Sequence, residues 1–416
     1  MAKSTYRKVS GDSFPLEIRL SLDEQNLVYR KQFFGSEGQE PQGLRYGENP
    51  GQEAALYRLT SGQPALGRTS YAGSQKALLS ALGEPGRMSG GQKHPSMTNF
   101  TDLDAALNLL RWLTKPAAVI IKHNNPSGAA QCSKISEAFR KAYRGDQLSA
   151  FGGVVVFNRP VDLETVALMD ELFVEVVAAP DYEAGTVAAL NKKPDIRVFK
   201  IPNMDKLNGL ERTIQIKSLI DGGLILHQSL VNAIKAPSDF QPAEIEYQGR
   251  TYKAVRTPTP QEYDDLIFGW AVICAVSSNS VVAVKNEATL AIGGGQQSRL
   301  GVVQLAINKA YQNFCQLRSQ ELHQKPFWQM ARGPEPALVQ AIEAEAKNCR
   351  AGLKGASLVS DGFFPFRDSV LEAMGEGITA FAHPGGSILD WDSIEAVNHH
   401  QPPAAMVFTG QRAFKH

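Results

Sequence analysis

The sequence has little cysteine, no long apolar run and no excess of charge of either sign. Its 416 residues include four cysteines, at positions 132, 274, 315 and 349, and none belongs to a Cys-x-x-Cys pair. Such scattered thiols argue against a disulfide framework and against a zinc site, and they favour a reducing compartment. The basic N-terminus is not followed by the apolar core of a signal peptide, and no apolar run reaches the length of a membrane helix. We therefore expect a cytoplasmic protein without a membrane partner.

The balance of charges also limits the partners. The formal net charge is +1 and 20% of the residues are charged, so no large basic field is available to neutralise the phosphates of a nucleic acid. The hydrophobic fraction of 43% is typical of a globular chain, and the length exceeds what one ordinary core needs. We expect two or three compact units and no nucleic-acid partner.

Short runs rich in β-branched residues alternate with amphipathic segments from residue 44 onward. The runs predict buried strands at 117–121, 153–157, 174–179, 223–226, 281–284, 290–293, 357–359, 378–381 and 405–408. The amphipathic segments predict helices at 102–113, 136–143, 163–172, 261–276, 299–317, 336–347, 368–374 and 391–397. This alternation is typical of an α/β fold with mainly parallel strand pairing. The polar segment 192–214, with its two prolines, is the best candidate for a boundary between units, and residues 1–43 look like a loosely organised leader.

An unusual polar segment, Lys122-His123-Asn124-Asn125-Pro126-Ser127-Gly128, directly follows the predicted strand at 117–121. Ligand-binding loops of open α/β sheets lie beyond the carboxyl ends of the strands. Histidine can act as a general base only in its neutral form, and the ammonium group of Lys122 disfavours a second positive charge on His123. The alternative is a plain polar turn, because Asn-Pro-Ser-Gly is good turn chemistry by itself. For this segment alone the plain turn is favoured.

Two further segments have both a structural and a functional interpretation. Ser277-Ser278-Asn279-Ser280 separates a long apolar helix from a predicted strand. Its side chains suit either a hydrogen-bonded structural turn or a site for a ligand carbonyl or a bare monovalent cation. Gly293-Gly294-Gly295-Gln296-Gln297-Ser298-Arg299 links a strand to a helix, which permits close approach of an anion, but its spacing matches neither the P-loop nor GxGxxG.

The most distinctive segment is Ser360-Asp361-Gly362-Phe363-Phe364-Pro365-Phe366-Arg367-Asp368. Its three aromatic residues belong either to the core or to a wall for a flat heteroaromatic ligand, with a carboxylate to bond the ring nitrogens. Asp368 alternatively caps the following helix. The last residues, from Thr409 to His416, directly follow an apolar strand, so we expect them to be tucked in although chain ends usually fray.

Together and in this order, the segments resemble the AICAR (5-aminoimidazole-4-carboxamide ribonucleotide) formyltransferase family, best known as the C-terminal part of a bifunctional purine-biosynthesis enzyme. The resemblance runs from residue 44 to residue 416. It rests on eight ordered motifs: RYGENP, KHNNPSG, SAFGG, VSSNSVVAVKN, GGGQQSR, SDGFFPFRD, HPGGS and RAFKH. Agreement across so many motifs in one order is too extensive for chance.

The resemblance implies two tandem cytidine-deaminase-like α/β/α units without zinc, at 44–205 and 206–416, after a leader at 1–43. It implies transfer of a formyl group from the co-substrate 10-formyltetrahydrofolate to the 5-amino group of AICAR, on the route to inosine monophosphate (IMP). Family members are homodimers whose active sites draw residues from both subunits. The cyclohydrolase domain that usually precedes this part is missing, so we expect no cyclohydrolase activity and a separate IMP cyclohydrolase acting downstream.

The matching motifs also imply roles for individual residues. His123 would be the general base, Lys122 a proton donor to the leaving nitrogen, and Asn279 a donor to the formyl oxygen or the carboxamide. The residues expected at the nucleotide, with the first and last on its 5′-phosphate, are Arg45, Tyr46, Phe151, Gly152, Glu175, Arg299 and Arg412. Those expected at the folate are Phe363, Pro365, Phe366, Asp368, Gly385 and Gly386. A structural potassium ion is a further candidate ligand, at Ser278, Ser280 and Asp361.

Other functions compete with this one. A related formyl transfer or a hydrolysis on another nucleotide would use similar residues. A zinc-dependent deaminase of similar fold requires a Cys-x-x-Cys signature that the sequence lacks, and a formate- and ATP-dependent enzyme requires a triphosphate-binding loop that is not visible. A catalytically inactive subunit that binds purine intermediates is disfavoured by the retained Lys122, His123 and Asn279, but the sequence alone does not exclude it.

Overall fold

The computed structural model of the chain describes residues 12–22, 25–34, 42–49, 52–62, 65–66, 69–70, 88–90, 94–170, 172–193, 195–209 and 213–416. The chain divides into two compact units, and each unit combines two stretches of sequence. The first unit consists of Met1–Arg111 and Gly152–Val231, and the second of Trp112–Phe151 and Asn232–His416.

The strands, in chain order, are β1 (Glu17–Leu22), β2 (Gln25–Lys31), β3 (Tyr57–Ser61), β4 (Ala65–Leu66), β5 (Thr69–Ser70), β6 (Met88–Gly90), β7 (Ala117–Lys122), β8 (Asn125–Gln131), β9 (Gly153–Phe157), β10 (Val174–Ala179), β11 (Arg197–Lys200), β12 (Ile214–Ser218), β13 (Leu224–Gln228), β14 (Gln241–Pro242), β15 (Glu244–Tyr247), β16 (Arg250–Lys253), β17 (Val281–Lys285), β18 (Ala288–Gly293), β19 (Ser357–Ser360), β20 (Ala380–His383) and β21 (Ala405–Phe408).

The helices are α1 (Met97–Leu110), α2 (Ile135–Gly145), α3 (Gln147–Ala150), α4 (Leu163–Leu168), α5 (Thr186–Leu190), α6 (Pro260–Ile273), α7 (Arg299–His323), α8 (Phe327–Ala331), α9 (Pro336–Asn348), α10 (Asp368–Gly375) and α11 (Asp390–His399). Short 3₁₀ turns lie at Met204–Gly209, Pro237–Asp239 and Arg350–Gly352. Within the described ranges, no helix has the length and apolarity that crossing a bilayer requires.

Two sheets organise the first unit. β1, β2 and β3 form an antiparallel sheet. The other sheet has the order β9-β10-β11-β6, in which β9, β10 and β11 run parallel and β6 pairs antiparallel with β11. Helix α1 packs on β9 and β10. It begins at a capping box, because the side chains of Ser96 and Asn99 each accept a hydrogen bond from the other's backbone N–H.

The first unit also carries an exposed hairpin, formed by β12 and β13. Apart from Ile214, the side chains of both strands are exposed, and they include Ile216, Leu224, Ile225 and Leu226. The prediction that the strand at 223–226 is buried is therefore wrong. An apolar run looks the same in sequence whether it is covered by the chain's own core or left on the surface.

In the second unit, the main sheet has the order β14-β21-β20-β19-β17-β18-β8-β7. The pairs β19–β20 and β20–β21 are parallel, whereas β7–β8, β8–β18, β17–β18 and β17–β19 are antiparallel. The α/β class is confirmed, but the mainly parallel pairing predicted from the alternation is corrected to a mixed sheet. β7–β8 and β17–β18 are joined by tight turns, which leave no room for the crossover helix that parallel neighbours need.

Helices cover this sheet and bury its apolar side chains. α2 packs on β7, β8 and β18, α6 on β17 and β19, and α7 on β18. Gly128 allows α2 to come this close, because a Cβ at that position would lie 1.9 Å from the carbonyl oxygen of Ala142. The core contains Val281, Val302 and Phe381 with their neighbours.

The start of α6 is fixed by an ion pair. Glu262 accepts two hydrogen bonds of 2.8 Å from the Arg256 guanidinium, and it also accepts bonds from the Thr259 N–H and the Thr379 hydroxyl, each at 2.8 Å. Burial opposes ionisation of Glu262, but these hydrogen bonds outweigh it and lower the pKa of its carboxyl to about 2. The contact joins the N-terminus of α6 to the residue that precedes β20.

The predicted domain boundaries differ from the observed division. Part of the predicted leader at 1–43 forms β1 and β2, which pair with each other and, through β2, with β3, whereas residues 1–11, 23–24 and 35–41 of it lie outside the described residues. The predicted units 44–205 and 206–416 place residues 112–151 in the first unit, whereas the structure groups them with the second. The reason is packing, since α2 contacts β18 and α7.

Candidate functional site

His123 and Asn124 form the two-residue turn between β7 and β8. Both have positive φ angles, 55° and 61°, as a type I′ hairpin turn requires. Histidine and asparagine are among the non-glycine residues that tolerate this conformation best. The turn therefore precedes the Asn-Pro-Ser-Gly sequence, which instead begins β8. His123 is exposed, and within the described part of the chain its ring makes no hydrogen bond.

Two lysine side chains hold the backbone around this turn. Lys122 Nζ donates a hydrogen bond of 2.6 Å to the carbonyl oxygen of Phe151. Lys415 Nζ donates to the carbonyl oxygens of Asn124, at 2.5 Å, and of Ala275, at 2.8 Å. Lys415 thus ties the turn to the C-terminal end of α6.

The same region brings the KHNNPSG and SSNS segments together. The Ser277 N–H donates to Asn125 Oδ1 at 2.8 Å, and the Ser278 N–H donates to the carbonyl oxygen of Lys415 at 2.9 Å. The prediction that the last residues are tucked in is confirmed only in part: Ala413 is buried, whereas Arg412, Phe414 and His416 are exposed. Lys415 contacts both polar segments, through Asn124 and Ser278.

Asn279 belongs to a hydrogen-bonded network rather than to open solvent. Its Oδ1 accepts from the Arg299 guanidinium at 3.0 Å, and its Nδ2 donates to the carbonyl oxygen of Gln297 at 3.1 Å. Arg299 also bonds Asp361 Oδ1 at 2.5 Å, and Ser278 Oγ donates to Asp361 Oδ2 at 2.6 Å. Arg299, predicted to line the nucleotide, is buried, and its guanidinium bonds protein atoms here.

The potassium ligands predicted from the resemblance lie in this network. Ser280 Oγ is buried without a hydrogen-bond partner, which leaves one oxygen for a cation. Asp361, however, already pairs with Arg299 and accepts from Ser278, so its charge is neutralised by a guanidinium. These side chains as arranged do not fit a bound cation.

The SDGFFPFRD segment divides its aromatic rings between the core and the surface. Phe364 is fully buried, whereas Phe366 is 57% exposed and Phe363 and Pro365 are half-buried. Asp368 is exposed and uses Oδ1 to accept from the Ser369 N–H at 2.6 Å at the start of α10. The core interpretation is confirmed for Phe364, and stacking of the other rings on a flat ligand stays a prediction.

A cavity of about 570 Å³ opens beside the HPGGS segment. Of the predicted folate residues, Gly385 and Gly386 line it and the aromatic residues do not. The cavity also contains Arg412, and its full lining is Gln241, Glu244, Ile245, Pro384, Gly385, Gly386, Ser387, Ile388, Asp390, Phe408, Gly410 and Arg412.

Two buried titratable groups lie at or near this cavity. Burial raises the pKa of the Asp390 carboxyl to about 6, against the effect of the Ser387 and Gly386 N–H groups. Burial, assisted by the charge of Arg299, lowers the pKa of His383 to about 3. The His383 ring therefore stays neutral, and its Nδ1 accepts from the Gly385 N–H at 3.1 Å.

Arg412, predicted to hold the phosphate, faces aromatic rings and no carboxylate. Its guanidinium carbon lies 5.6 Å from the ring centre of Phe363 and 5.8 Å from that of Phe414. In the described part of the chain it has no ion-pair partner, and its side chain is exposed. It is therefore free to bind an anion.

The predicted nucleotide residues of the first unit form a second cluster. Arg45 lies over the Tyr46 ring at 5.1 Å. Burial, then the charges of Arg197 and Arg45, lowers the pKa of His94. Glu175 is 3.6 Å from Arg197, so the buried guanidinium partly neutralises its charge. The surplus of positive charge in this cluster suits an anionic ligand.

The last predicted nucleotide residues are Phe151 and Gly152. Phe151 is 59% exposed in the second unit. Gly152 belongs to the first unit, where its φ of 74° and the hydrogen bond of 2.7 Å from its N–H to the Phe173 carbonyl define a turn.

Sequence reasoning missed three residues that organise these groups. Lys415 holds the turn, Arg197 is buried and donates to the carbonyl oxygen of His94, and Gly362 leaves space for Arg299. Lys415 lies in the RAFKH motif, so the motif could have identified it as a site residue. Nothing in the local sequence marks Arg197 as buried.

The arrangement contains side chains that can carry out acid–base chemistry. An unpartnered imidazole, a neighbouring ammonium group and a fixed carboxamide are the groups that proton transfer and oxyanion stabilisation need. In the ranges that the structure describes, no three His, Cys, Asp or Glu side chains cluster in a way that could hold a metal ion.

Comparison with known proteins gives one family. A family model described as AICARFT/IMPCHase bienzyme matches residues 15–309. A protein named bifunctional purine biosynthesis protein PurH from Caldicellulosiruptor saccharolyticus is 36% identical over 375 residues, which cover 90% of this chain and 59% of that protein. Proteins of the same name from Persephonella marina (37% identical, covering 90% and 59%) and Aquifex aeolicus (34% identical, covering 94% and 63%) are similarly related. The chain thus spans about three fifths of the length of these relatives.

Proposed function

We propose, since the chain belongs to the AICARFT/IMPCHase bienzyme family, that it transfers a formyl group from 10-formyltetrahydrofolate to the 5-amino group of AICAR. Its relatives carry names that refer to purine biosynthesis. The observation that carries the proposal is the His123 turn, tied by Lys415 to the segment that holds Asn279. A candidate base and a candidate acid on adjacent residues, on a turn whose backbone is joined through Lys415 to the segment of an amide donor, suit acyl transfer to a weak amine.

In the proposed reaction the 5-amino nitrogen attacks the formyl carbon, and the nitrogen of tetrahydrofolate leaves. The amine is a feeble nucleophile because its lone pair is drawn into the imidazole carboxamide. His123 accepts the proton that the amine loses, and Lys122 supplies a proton to the departing nitrogen. Asn279 donates to the oxygen that becomes negative in the tetrahedral intermediate.

The substrates are proposed to bind at the clusters around the motifs. Arg412 is proposed to hold the 5′-phosphate, a task that suits a guanidinium fork. Phe363 and Phe366 stack on the pterin, whose edge bonds Asp368. Each unit is proposed to be cytidine-deaminase-like, and the protein to act in the cytoplasm.

A homodimer with shared active sites is part of the proposal, and the β12–β13 hairpin supports it. An isolated two-stranded hairpin is marginal in water, and clustered exposed apolar side chains mark interaction surfaces. Leu224→Asp should therefore convert a dimer to a monomer in sedimentation equilibrium. Leu163→Asp, at a comparably exposed leucine outside the hairpin, should leave the dimer intact. A monomeric wild-type protein would contradict the dimer.

One assay separates the proposed activity from its alternatives. Purified protein is given AICAR and 10-formyltetrahydrofolate, and tetrahydrofolate, formyl-AICAR and IMP are followed together. The proposal requires formyl-AICAR to accumulate without IMP until a separate cyclohydrolase is added. Direct conversion of formyl-AICAR to IMP would assign cyclohydrolase activity to this chain. Binding of AICAR without any turnover would favour the alternative of an inactive subunit that binds purine intermediates.

A further inference from the structure

The junction between α2 and α3 is held by two side chains of α7. Lys309 Nζ donates to Asp146 Oδ2 at 3.2 Å, and Asn313 Nδ2 donates to the carbonyl oxygen of Gly145. Residues four apart lie on the same face of a helix, so one face of α7 holds both residues of the junction. β18 approaches from another side, because a Cβ at Gly145 would lie 2.7 Å from Thr289 Oγ1. The junction therefore has little freedom to move.

Helix α3 depends on this support because it is short. It has four residues, Gln147–Ala150, and a single helical turn is not stable by itself. Asp146 caps it, since Oδ1 accepts from the Ser149 N–H at 3.0 Å and Oδ2 accepts from the Ser149 hydroxyl at 2.7 Å. The side chain of Asp146 is only 8% exposed, so its charge is stabilised by Lys309 and these donors in place of water.

The other end of α3 contacts the lysine proposed as the acid. Phe151 is the C-cap residue of α3, and its carbonyl oxygen accepts the hydrogen bond of 2.6 Å from Lys122 Nζ. The ammonium group of a lysine sits on a flexible four-carbon stem, so a fixed acceptor is needed to hold it in one place. Since Phe151 directly follows α3, the position of that acceptor is set by the helix, and the position of the helix is set by Asp146.

We infer that Asp146 and Lys309 are positioning residues, which act on proton transfer through the Phe151 carbonyl and Lys122. This inference rests on the proposed function. The ion pair fixes α3, α3 fixes the carbonyl, and the carbonyl fixes the ammonium group that protonates the leaving nitrogen. Because the ion pair acts through other protein groups, its loss slows the chemical step and leaves the binding of the substrates nearly unchanged.

The test is a double-mutant cycle on kcat with Lys309→Met and Lys122→Ala. Alone, Lys309→Met should lower kcat about 10-fold with little change in KM, because a small displacement of a catalytic group is costly. In the Lys122→Ala background the same substitution should change kcat by less than about 2-fold. Lys309→Arg keeps a cation beside the carboxylate and should retain kcat within about 3-fold. Lys325→Met is the matched control, because Lys325 pairs with Glu335 at 3.6 Å just beyond the end of α7, and it should leave kcat unchanged.

A second variant keeps the test independent of folding defects. Asparagine caps a helix as well as aspartate does but offers no charge to Lys309, so Asp146→Asn should reproduce the loss of kcat while its melting curve stays cooperative. Two outcomes overturn the inference. Equal effects of Lys309→Met in both backgrounds would mean that Lys309 acts independently of Lys122, and a change confined to KM would mean that the junction shapes a binding surface.

Failure of the proposed function is distinguishable, because the anchoring of α3 also has a readout without turnover. The Ala150 N–H donates to the Asp146 carbonyl oxygen at 3.1 Å, and its exchange with solvent reports the opening of the helix. In nuclear magnetic resonance this amide should exchange faster in Lys309→Met than in the wild type or in Lys325→Met. Unchanged exchange would refute the positioning role, whereas absence of formyl transfer by the wild type would refute the proposed function and leave the exchange result in place.

Discussion

The Lys415 contacts allow a quantitative prediction about the catalytic turn. Lys415→Ala removes two hydrogen bonds from a charged donor, to the carbonyl oxygens of Asn124 and Ala275. Buried bonds from a charged donor are each worth about 1.5–3 kcal/mol in net terms, but Lys415 is half-exposed and solvent weakens both bonds, so we take about 1 kcal/mol for each and about 2 kcal/mol for the two together. If the turn that carries His123 loses that much preference for its observed conformation, kcat should fall about 30-fold.

The assay is steady-state kinetics with both substrates varied, together with a urea unfolding curve. We expect the loss in kcat, small changes in KM and a cooperative unfolding transition. Lys285→Ala is the control, because Lys285 Nζ likewise donates to a backbone carbonyl oxygen, that of Lys354, at 2.6 Å. A kcat within about 2-fold of the wild type in Lys415→Ala would refute the claim that this lysine fixes the turn.

Three further predictions concern the stability of the protein, the binding of the substrate phosphate and the residue proposed as the acid catalyst. Glu262→Gln should lower the free energy of unfolding by about 3 kcal/mol near neutral pH, the linkage value of its lowered pKa. Because that pKa lies below the unfolded value, the difference from the wild type should shrink as the pH falls from about 4.5 through about 2, and a difference constant with pH would contradict it. Arg412→Ala should raise the KM for AICAR about 10- to 100-fold, whereas an effect on the folate alone would show that Arg412 has been misplaced. Lys122→Arg should lower kcat at least about 10-fold, since the guanidinium does not release a proton, and a near-normal rate would remove Lys122 as the acid.

The strands of the two units show how far the sequence predicts the fold. The apolar runs at 153–157, 174–179 and 405–408 coincide with β9, β10 and β21 residue by residue. The hairpin between β7 and β8 was not predicted, because its strand Asn125–Gln131 is polar at one end and contains a proline. Packing against distant parts of the chain makes that segment a strand, and the local sequence pattern does not reveal such packing.

The domain boundaries show a second limit. Residues 112–151 lie between two stretches of the first unit but belong to the second. Prediction from sequence places domain boundaries at polar, proline-containing segments. No such segment marks the points where the chain leaves the first unit and later returns to it.

The sequence predicts the residues of the candidate site better than it predicts the contacts between them. His123 and Asn279 were found from their motifs, and the structure joins their segments through Lys415. Arg299 was assigned to the nucleotide from the resemblance of its motif to that of the family. Its burial against Asp361 depends on two segments about sixty residues apart that meet only in the folded sheet.

The most direct test of the central claim is the initial rate of tetrahydrofolate release when wild-type protein and His123→Ala are each given AICAR and 10-formyltetrahydrofolate. The account predicts steady release that depends on AICAR in the wild type, and loss of it in His123→Ala, which still binds the nucleotide in a calorimetric titration. Release that is absent in the wild type, or that continues undiminished without the imidazole, would contradict it.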